Sequence, residues 1–225
     1  MDNKIKFPSI SIIVIGYNES KNLDKTFTAI SNVNYPKEKI EVIYVDTDST
    51  DNSVDIARKY TDKVFIEKSH YPTAALARNK GLLEAQYDIV HFIDGDIEID
   101  KDYLKKAVSK IQEDGIDAVY GYLKENSKSY LSNILISHWE RKKEGFTNST
   151  GGGGTYLREP LMEIEGYDER IKRGEEIDLG IRYKKAGYQI WMMNEIMGVH
   201  KYDITNLFQL VKRYFANGKS IGFNF

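Results

Sequence analysis

The sequence predicts an α/β fold, a mostly parallel twisted sheet flanked by helices. Three observations carry that prediction. Short runs rich in Ile and Val recur without polar interruption, the pattern of strands buried on both faces. Stretches with apolar residues at helical spacing separate those runs. Three such strand–helix units also follow one another directly, which implies parallel strands joined by right-handed crossovers.

Residues 9–15 (SISIIVI) are the first apolar run and read as a doubly buried strand. Residues 20–32 start polar and then place Leu23, Phe27 and Ile30 on one helical face. Residues 40–45 (IEVIYV) give the second strand, and 51–60 the second helix through Val54, Ile56 and Ala57. A third strand is expected at 63–66, a third helix at 73–86 and a fourth strand at 88–93 (DIVHFI). After Asp102 the pattern loosens. It predicts a helix at 103–113, a strand at 118–122, a helix-like stretch at 131–143 and a strand at 155–157. A turn at 165–168 precedes a helix at 176–186 that Gly187 would cap. Two short strands, 190–193 and 196–199, and a helix at 206–216 complete the pattern. With no repeat and no low-complexity linker, a single domain over 1–225 is expected, with a regular front half (8–102) and an irregular back half (103–225).

Composition excludes several chemistries. There is no Cys, so disulfides, thiol nucleophiles and thiolate-bound zinc or iron–sulfur sites are ruled out. The 32 Lys+Arg nearly balance the 34 Asp+Glu, and a net charge of −2 gives no general attraction to nucleic acid, so no nucleic-acid partner is expected. Residues 1–8 carry charges but no apolar stretch of the signal-peptide kind. No window reaches the ~18 apolar residues of a membrane span. A cytoplasmic protein is the expectation, with contact at the inner membrane face through the last helix. There Leu207, Phe208, Leu210, Val211, Tyr214 and Phe215 lie beside Lys212, Arg213 and Lys219, a stripe that suits either a membrane surface or a core.

In open α/β sheets ligands bind beyond the carboxyl ends of the strands. Three successive strands deliver polar loops there: Gly16-Tyr17-Asn18-Glu19, then Asp46-Thr47-Asp48-Ser49-Thr50-Asp51, then Asp94-Gly95-Asp96. Each loop alone also suits a turn followed by a helix N-cap, and Ser49 to Asp51 fit that reading well. Asp94 and Asp96 can both reach one divalent ion, with Gly95 letting the backbone turn between them. Oxygen ligands suit Mg²⁺ or Mn²⁺, ions completed by water and substrate phosphates.

These loops, together with Ala77-Arg78-Asn79-Lys80-Gly81, Ile164-Glu165-Gly166-Tyr167-Asp168-Glu169 and Gly174-Glu175-Glu176-Ile177-Asp178-Leu179-Gly180-Ile181-Arg182, stand in the order seen in family 2 glycosyltransferases of the GT-A fold. The resemblance covers residues 8–200. It implies that the front half holds a nucleotide-sugar donor and the back half the acceptor and catalytic base. By the same resemblance Tyr17, Asn18, Glu19 and Asp46 would hold the base and ribose, and Arg78 would lie near the diphosphate or donor sugar. Asp94 would lie near ribose or metal, Asp96 would bind Mn²⁺ or Mg²⁺, and His200, 24 residues after Glu176, would be a further metal ligand. Glu176 takes the place of the family's general-base Asp.

Two departures from the family pattern bear on these roles. Asp46-Thr47-Asp48 replaces an acidic-acidic-Gly run, leaving open whether Asp46 or Asp48 faces the base. Glu175-Glu176 replaces Glu-Asp, leaving Glu175 and Asp178 as rivals to Glu176. The activity implied is metal-dependent inverting transfer from a nucleotide-diphospho-sugar, UDP being the expected base. The acceptor would be a glycan or lipid-linked hydroxyl in glycan, polysaccharide or glycolipid synthesis. A developing diphosphate charge needs a cation, and an attacking hydroxyl needs a carboxylate, which these loops supply separately. A sugar-1-phosphate nucleotidyltransferase, or a non-catalytic nucleotide- or carbohydrate-binding module, are the alternatives. The former usually has a basic Gly-rich loop after the first strand, which Gly16-Tyr17-Asn18-Glu19 is not.

Gly151 to Gly154 lack the Lys-Ser/Thr of a phosphate-binding loop and read as a closing flap or a loose connection. His70, His91 and His138 read as structural. Trp139 and Trp191 read as core or near-core, with sugar stacking the alternative for Trp139.

Overall fold

A computed structural model describes residues 7–69, 71–125, 143–151 and 153–200 of the chain. The predicted helices at 131–143 and 206–216, with His70, His138 and Trp139, lie outside the described residues or almost wholly so.

The described strands form one sheet of nine. The front half supplies β1 (Ile10–Gly16), β2 (Ile40–Asp46), β3 (Val64–Ile66), β4 (Ile89–Asp94) and β5 (Ile97–Ile99). The back half supplies β6 (Ala118–Glu125), β7 (Gly145–Phe146), β8 (Gly154–Leu157) and β9 (Ile190–His200). The order is β3-β2-β1-β4-β8-β6-β9-β5, with β7 paired to β9. Every pairing from β3 to β4 is parallel, as the strand–helix alternation requires. Beyond β4 antiparallel pairs join the mostly parallel sheet: β8 enters antiparallel between β4 and β6, while β6 pairs β9 in parallel.

The central strand explains why its run is wholly apolar. Ile10, Ile12 and Val14 face one layer, with Leu23, Phe27 and Ile30 of α1 (Leu23–Ser31) and Tyr103, Leu104 and Val108 of α4 (Tyr103–Asp114). Ile13 and Ile15 face the other, with Ile43, Val45, Leu82, Tyr167 and Tyr183. Alternation along the strand thus fills two layers at once. Helix α3 (Ala74–Glu84) lies tight on β1: a Cβ at Gly81 would come 2.2 Å from Ile13 Cγ2. Thr73 caps α3 by accepting from Leu76 N. Helix α2 (Ser53–Ala57) is shorter than predicted, and α5 (Arg158–Glu163) and strands β5 and β7 were not anticipated. All of these are short, with too few residues to show a period.

Helix α6 (Glu175–Lys185) matches its predicted span to within a residue. Past its end Gly187 takes φ 93°, and Tyr188 N returns to Tyr183 O. The two predicted strands at 190–193 and 196–199 are one strand, β9. Its register against β6 slips between Tyr120 and Tyr122, so Asn194 and Glu195 form a bulge rather than a break. Gly121 faces that bulge, where a Cβ would meet Glu195 O at 2.5 Å. Gly153 is likewise a close-packing residue, with Phe92 O 2.8 Å from its would-be Cβ. This part of the glycine run therefore crosses the sheet closely, and is neither flap nor loose connection. Among the described residues no helix is long and apolar enough to cross a membrane.

His91 is structural, as predicted: it is fully buried on β4 with Nδ1 3.1 Å from Thr155 Oγ1, and burial pushes its imidazole down to about 3. The unfolded chain titrates this group near ~6.5, so above that pH both states leave it neutral. Below it only the unfolded chain gains the proton, and stability falls as pH drops toward 3 by up to about 1.4 kcal/mol per pH unit. His91→Gln is expected to flatten urea-melt stability over that window relative to the parent, whereas identical pH slopes would contradict a neutral buried His91.

Candidate active site

The carboxyl ends of β1, β2 and β4 lie side by side, because Gly16 pairs Asp46 and Ile15 pairs Asp94 in parallel register. The first two loops are stitched together. Asn18 N donates to Ser49 Oγ at 2.7 Å, Glu19 N to Ser53 Oγ at 2.8 Å and Ser20 N to Asp51 Oδ2 at 3.1 Å. Thr50 N returns a bond to Asn18 Oδ1 at 2.9 Å. Asn18 and Asp48 both adopt positive φ, which Asn and Asp tolerate better than other side chains. Asp46 is wholly buried and accepts from Tyr44 Oη, Ser49 N and Ser49 Oγ, so it holds the loop in shape. Tyr17, Asn18, Asp48 and Thr50 are the exposed members of these loops. Asp51 lies one residue before the N-cap Asn52 and accepts from Ser53 N, the first residue of the helix, at 3.0 Å.

After β4 the chain turns at Gly95 in very little space. Gly95 N donates to Ile15 O at 2.8 Å, Gly95 O accepts from Thr26 Oγ1, and a Cβ would sit 3.2 Å from Ile15 O. The turn sends Asp94 and Asp96 in different directions. Asp96 Oδ2 lies 2.9 Å from His200 Nε2, which β9 delivers opposite Ile97. Asp94 Oδ1 instead accepts from Arg78 Nη2 at 3.0 Å. Among the described residues no three His, Asp or Glu side chains converge as a metal cage: of the expected Asp94, Asp96 and His200, Asp96 and His200 pair while Asp94 turns to Arg78. The protein offers a carboxylate–imidazole pair at Asp96 and His200, and this suits a hard divalent ion that takes its other ligands from phosphates and water.

Arg78 organises the other side of the cleft. The residue is 1% exposed, and its guanidinium donates to Glu175 Oε1 at 2.7 Å and stands 3.8 Å from Glu176 Oε1. The Tyr167 ring covers it, 5.3 Å from Cζ to centroid. Burial opposes its charge, but Asp94, Glu176 and Glu175 outweigh that and hold it firmly protonated. Arg78, expected near the diphosphate or the donor sugar, is enclosed by carboxylates and an aromatic ring. Next to it Asn79 clasps Tyr167, accepting from its N–H and donating to its carbonyl, both at 2.8 Å.

The three candidate bases differ in engagement. Glu175 is buried against Arg78, and Asp178 pairs with Arg182 Nε at 2.7 Å. Glu176 opens to the cleft with a side chain 22% exposed, and Thr150 Oγ1 anchors its carbonyl at 3.0 Å. Burial raises the Glu176 carboxyl, as do Glu175 and Asp94, against the pull of Arg78. Asp94 is also raised by withdrawal from water and by Asp96, with Arg78 opposing. Burial raises Glu19 too, with Asp96 and Asp94 adding to it. Thr150 and the enclosing role of Tyr167 were missed from sequence; a lone Thr carries no signal, whereas Gly166-Tyr167 was on view in a motif already singled out. A cavity of about 550 Å³ lined by Pro8, Gln86, Ile111 and Leu157 lies at the other end of β1 and β4, away from these groups.

Removing Arg78 leaves Glu175 buried without its cation, so Arg78→Met should destabilise the fold by about 3–5 kcal/mol in denaturant melts. Adding Glu175→Gln should recover a substantial part of that loss. Strictly additive losses would show that the pair does not interact.

A family model described as "Glycosyl transferase family 2" matches residues 11–161. Glycosyltransferase AglE of Haloferax volcanii is 26% identical over 223 residues, covering 94% of this chain and 72% of that protein. The dolichyl N-acetyl-alpha-D-glucosaminyl phosphate 3-beta-D-2,3-diacetamido-2,3-dideoxy-beta-D-glucuronosyltransferase of Methanococcus voltae is 23% identical over 235 residues, covering 95% and 73%. Among solved structures, the mannosyltransferase PcManGT from Pyrobaculum calidifontis, in complex with GDP-Man and Mn²⁺, aligns with TM-score 0.75 at 21% identity, over 96% of this chain and 63% of that one. TarS of S. aureus in complex with UDP-GlcNAc aligns with TM-score 0.71 at 21% identity, over 86% and 58%. The fold is thus that of GT-A glycosyltransferases, and with the family model matching more than half of its length the chain belongs to glycosyl transferase family 2.

Proposed function

We propose that this chain transfers a sugar from a nucleoside-diphosphate donor to an acceptor hydroxyl, with a divalent metal and with inversion at the anomeric carbon. One observation carries the reading. Asp94 at 3.0 Å, Glu175 at 2.7 Å and Glu176 at 3.8 Å gather around one buried cation, Arg78, with Asp96 on the same turn as Asp94, so the cation is already enclosed by carboxylates. A diphosphate would be repelled from such a cleft unless a cation entered with it. Asp96 and His200 are the residues that would hold Mn²⁺ or Mg²⁺. Bound there, the metal would supply the charge that offsets the departing nucleoside diphosphate.

The chain's own residues then divide the work. The loops bearing Tyr17, Asn18 and Asp48 line the nucleoside end of the cleft, with Asp46 fixing their shape from inside. Asp94, turned by Arg78, faces the donor between base and metal. Glu176 takes the proton from the attacking hydroxyl; its raised pKa strengthens it as a base, and Glu175 and Asp178 are held in ion pairs. Attack from the side opposite the leaving diphosphate inverts the sugar. The M. voltae relative is named for a dolichyl-linked sugar phosphate, which supports a lipid-linked acceptor here. Neighbours named with UDP-GlcNAc and GDP-Man make both bases worth assaying, UDP first.

Turnover of radiolabelled UDP- and GDP-sugars into lipid-linked acceptors tests the assignment. Glu176→Gln should lower kcat by about 10²–10⁴-fold with donor affinity kept, while Asp178→Asn should stay near the parent. A Glu176→Gln enzyme that turns over normally would move the base elsewhere. Because Glu176 must be ionised and its pKa is raised, kcat should rise with pH through a limb above the ordinary Glu range of ~4.3. A limb at the ordinary value would argue against Glu176.

A further inference from the structure

The side of α6 turned away from the sheet has a composition that the cleft does not explain. Glu175, Leu179, Gly180 and Tyr183 bury the inner side of the helix. Outward, Ile177 and Ile181 stand one turn apart, 48% and 47% exposed. Exposed Lys184 and Lys185 follow on the same side a turn later. Lys172 stands just before the helix, its ammonium 4.9 Å from the ring centroid of Tyr71, itself 69% exposed. Nearby acids are engaged elsewhere: Asp168 with Arg170, Asp178 with Arg182, and Glu169 with Asn79. Lys184 donates to the neutral Asn148 Oδ1 and keeps its charge uncancelled. The result is a short apolar centre with positive charge at both ends, on a chain whose net charge is −2.

We propose that this face docks on an anionic lipid bilayer, with Ile177 and Ile181 entering the headgroup layer and Lys172, Lys184 and Lys185 meeting lipid phosphates. Lysine stems can lie along apolar surface while their ammonium groups reach polar headgroups, so the arrangement suits an interface. Two half-exposed isoleucines fall far short of the ~800 Å² per partner of a stable protein–protein contact, which disfavours a second copy as occupant. Charge complementarity favours an anionic surface over a neutral one. Docked this way, Glu176, next in sequence to Ile177, sits at the bilayer surface where a lipid-anchored acceptor would lie. The docking itself does not depend on which carboxylate is the base.

Flotation of the full chain with phosphatidylcholine vesicles, with and without phosphatidylglycerol, tests this. Binding is expected only with phosphatidylglycerol, and it should weaken as salt rises. Reversing Lys172, Lys184 and Lys185 to Glu should lower partitioning by at least about fivefold per site. Ile177→Ser with Ile181→Ser should lower it as well, while Leu83→Ser, at a 62% exposed position on α3, should leave it unchanged. No binding to phosphatidylglycerol vesicles, binding unaffected by the α6 changes, or an equal loss with Leu83→Ser would overturn the proposal. Unaltered circular dichroism and donor binding in the variants would separate lost docking from lost folding or a failed donor site.

Discussion

Arg78, an arginine with 1% of its surface exposed, lies between Asp94, 16 residues along the chain, and Glu175, 97 residues along it. Burying Arg78 without partners would be prohibitive, so these carboxylates must come to it wherever the chain carries them. That requirement ties α3, the end of β4 and the start of α6 into one unit, and those three elements bear most of the chemistry we propose. Close packing sets the height of the arginine. Gly81 brings α3 down onto Ile13 of β1, and Asn79 fastens the turn that places Tyr167 over the guanidinium.

From this pair follows the electrostatic character of the cleft. Arg78 is already engaged by Asp94 and Glu175, so the carboxylates around it outnumber the positive charge available to a ligand. Several are raised by burial and by one another. Such a site favours a base with a high pKa and disfavours a bare anion. The same crowding accounts for the division between Glu175 and Glu176: one residue neutralises the arginine, while the next, on another face of the helix, opens to solvent. Gly180, with Asn148 O 2.6 Å from its would-be Cβ, lets the 147–151 strip lie against α6, and Thr150 fixes the Glu176 backbone.

The front half was legible because doubly buried parallel strands are written as unbroken apolar runs, and the loops after them as polar clusters. Asp46, Asp94 and Glu176 were found at strand ends or a helix start for that reason. The distinction between Asp46 and Asp48 was not legible, since it depends on which carboxylate the positive-φ turn points inward. The burial of Arg78 was equally hidden, because an arginine in a helix sequence looks the same whether its partners are water or two distant carboxylates. The back half was read less well. β5 and β7 are too short to show alternation, and the Asn194–Glu195 bulge mimics a loop. Gly153 looked like flexibility but serves close approach to β4.

The central claim is that this anionic cleft accepts a nucleotide-sugar only together with a cation held at Asp96 and His200. Calorimetric titration of UDP- and GDP-sugars into the full chain, with Mn²⁺ and with metal chelated, tests it most directly. The account predicts binding of one donor class with Mn²⁺ and an affinity lower by more than about tenfold without it, equivalent to at least ~1.4 kcal/mol. It also predicts that Asp96→Ala removes most of the difference. Equal donor affinity with and without metal would contradict the account.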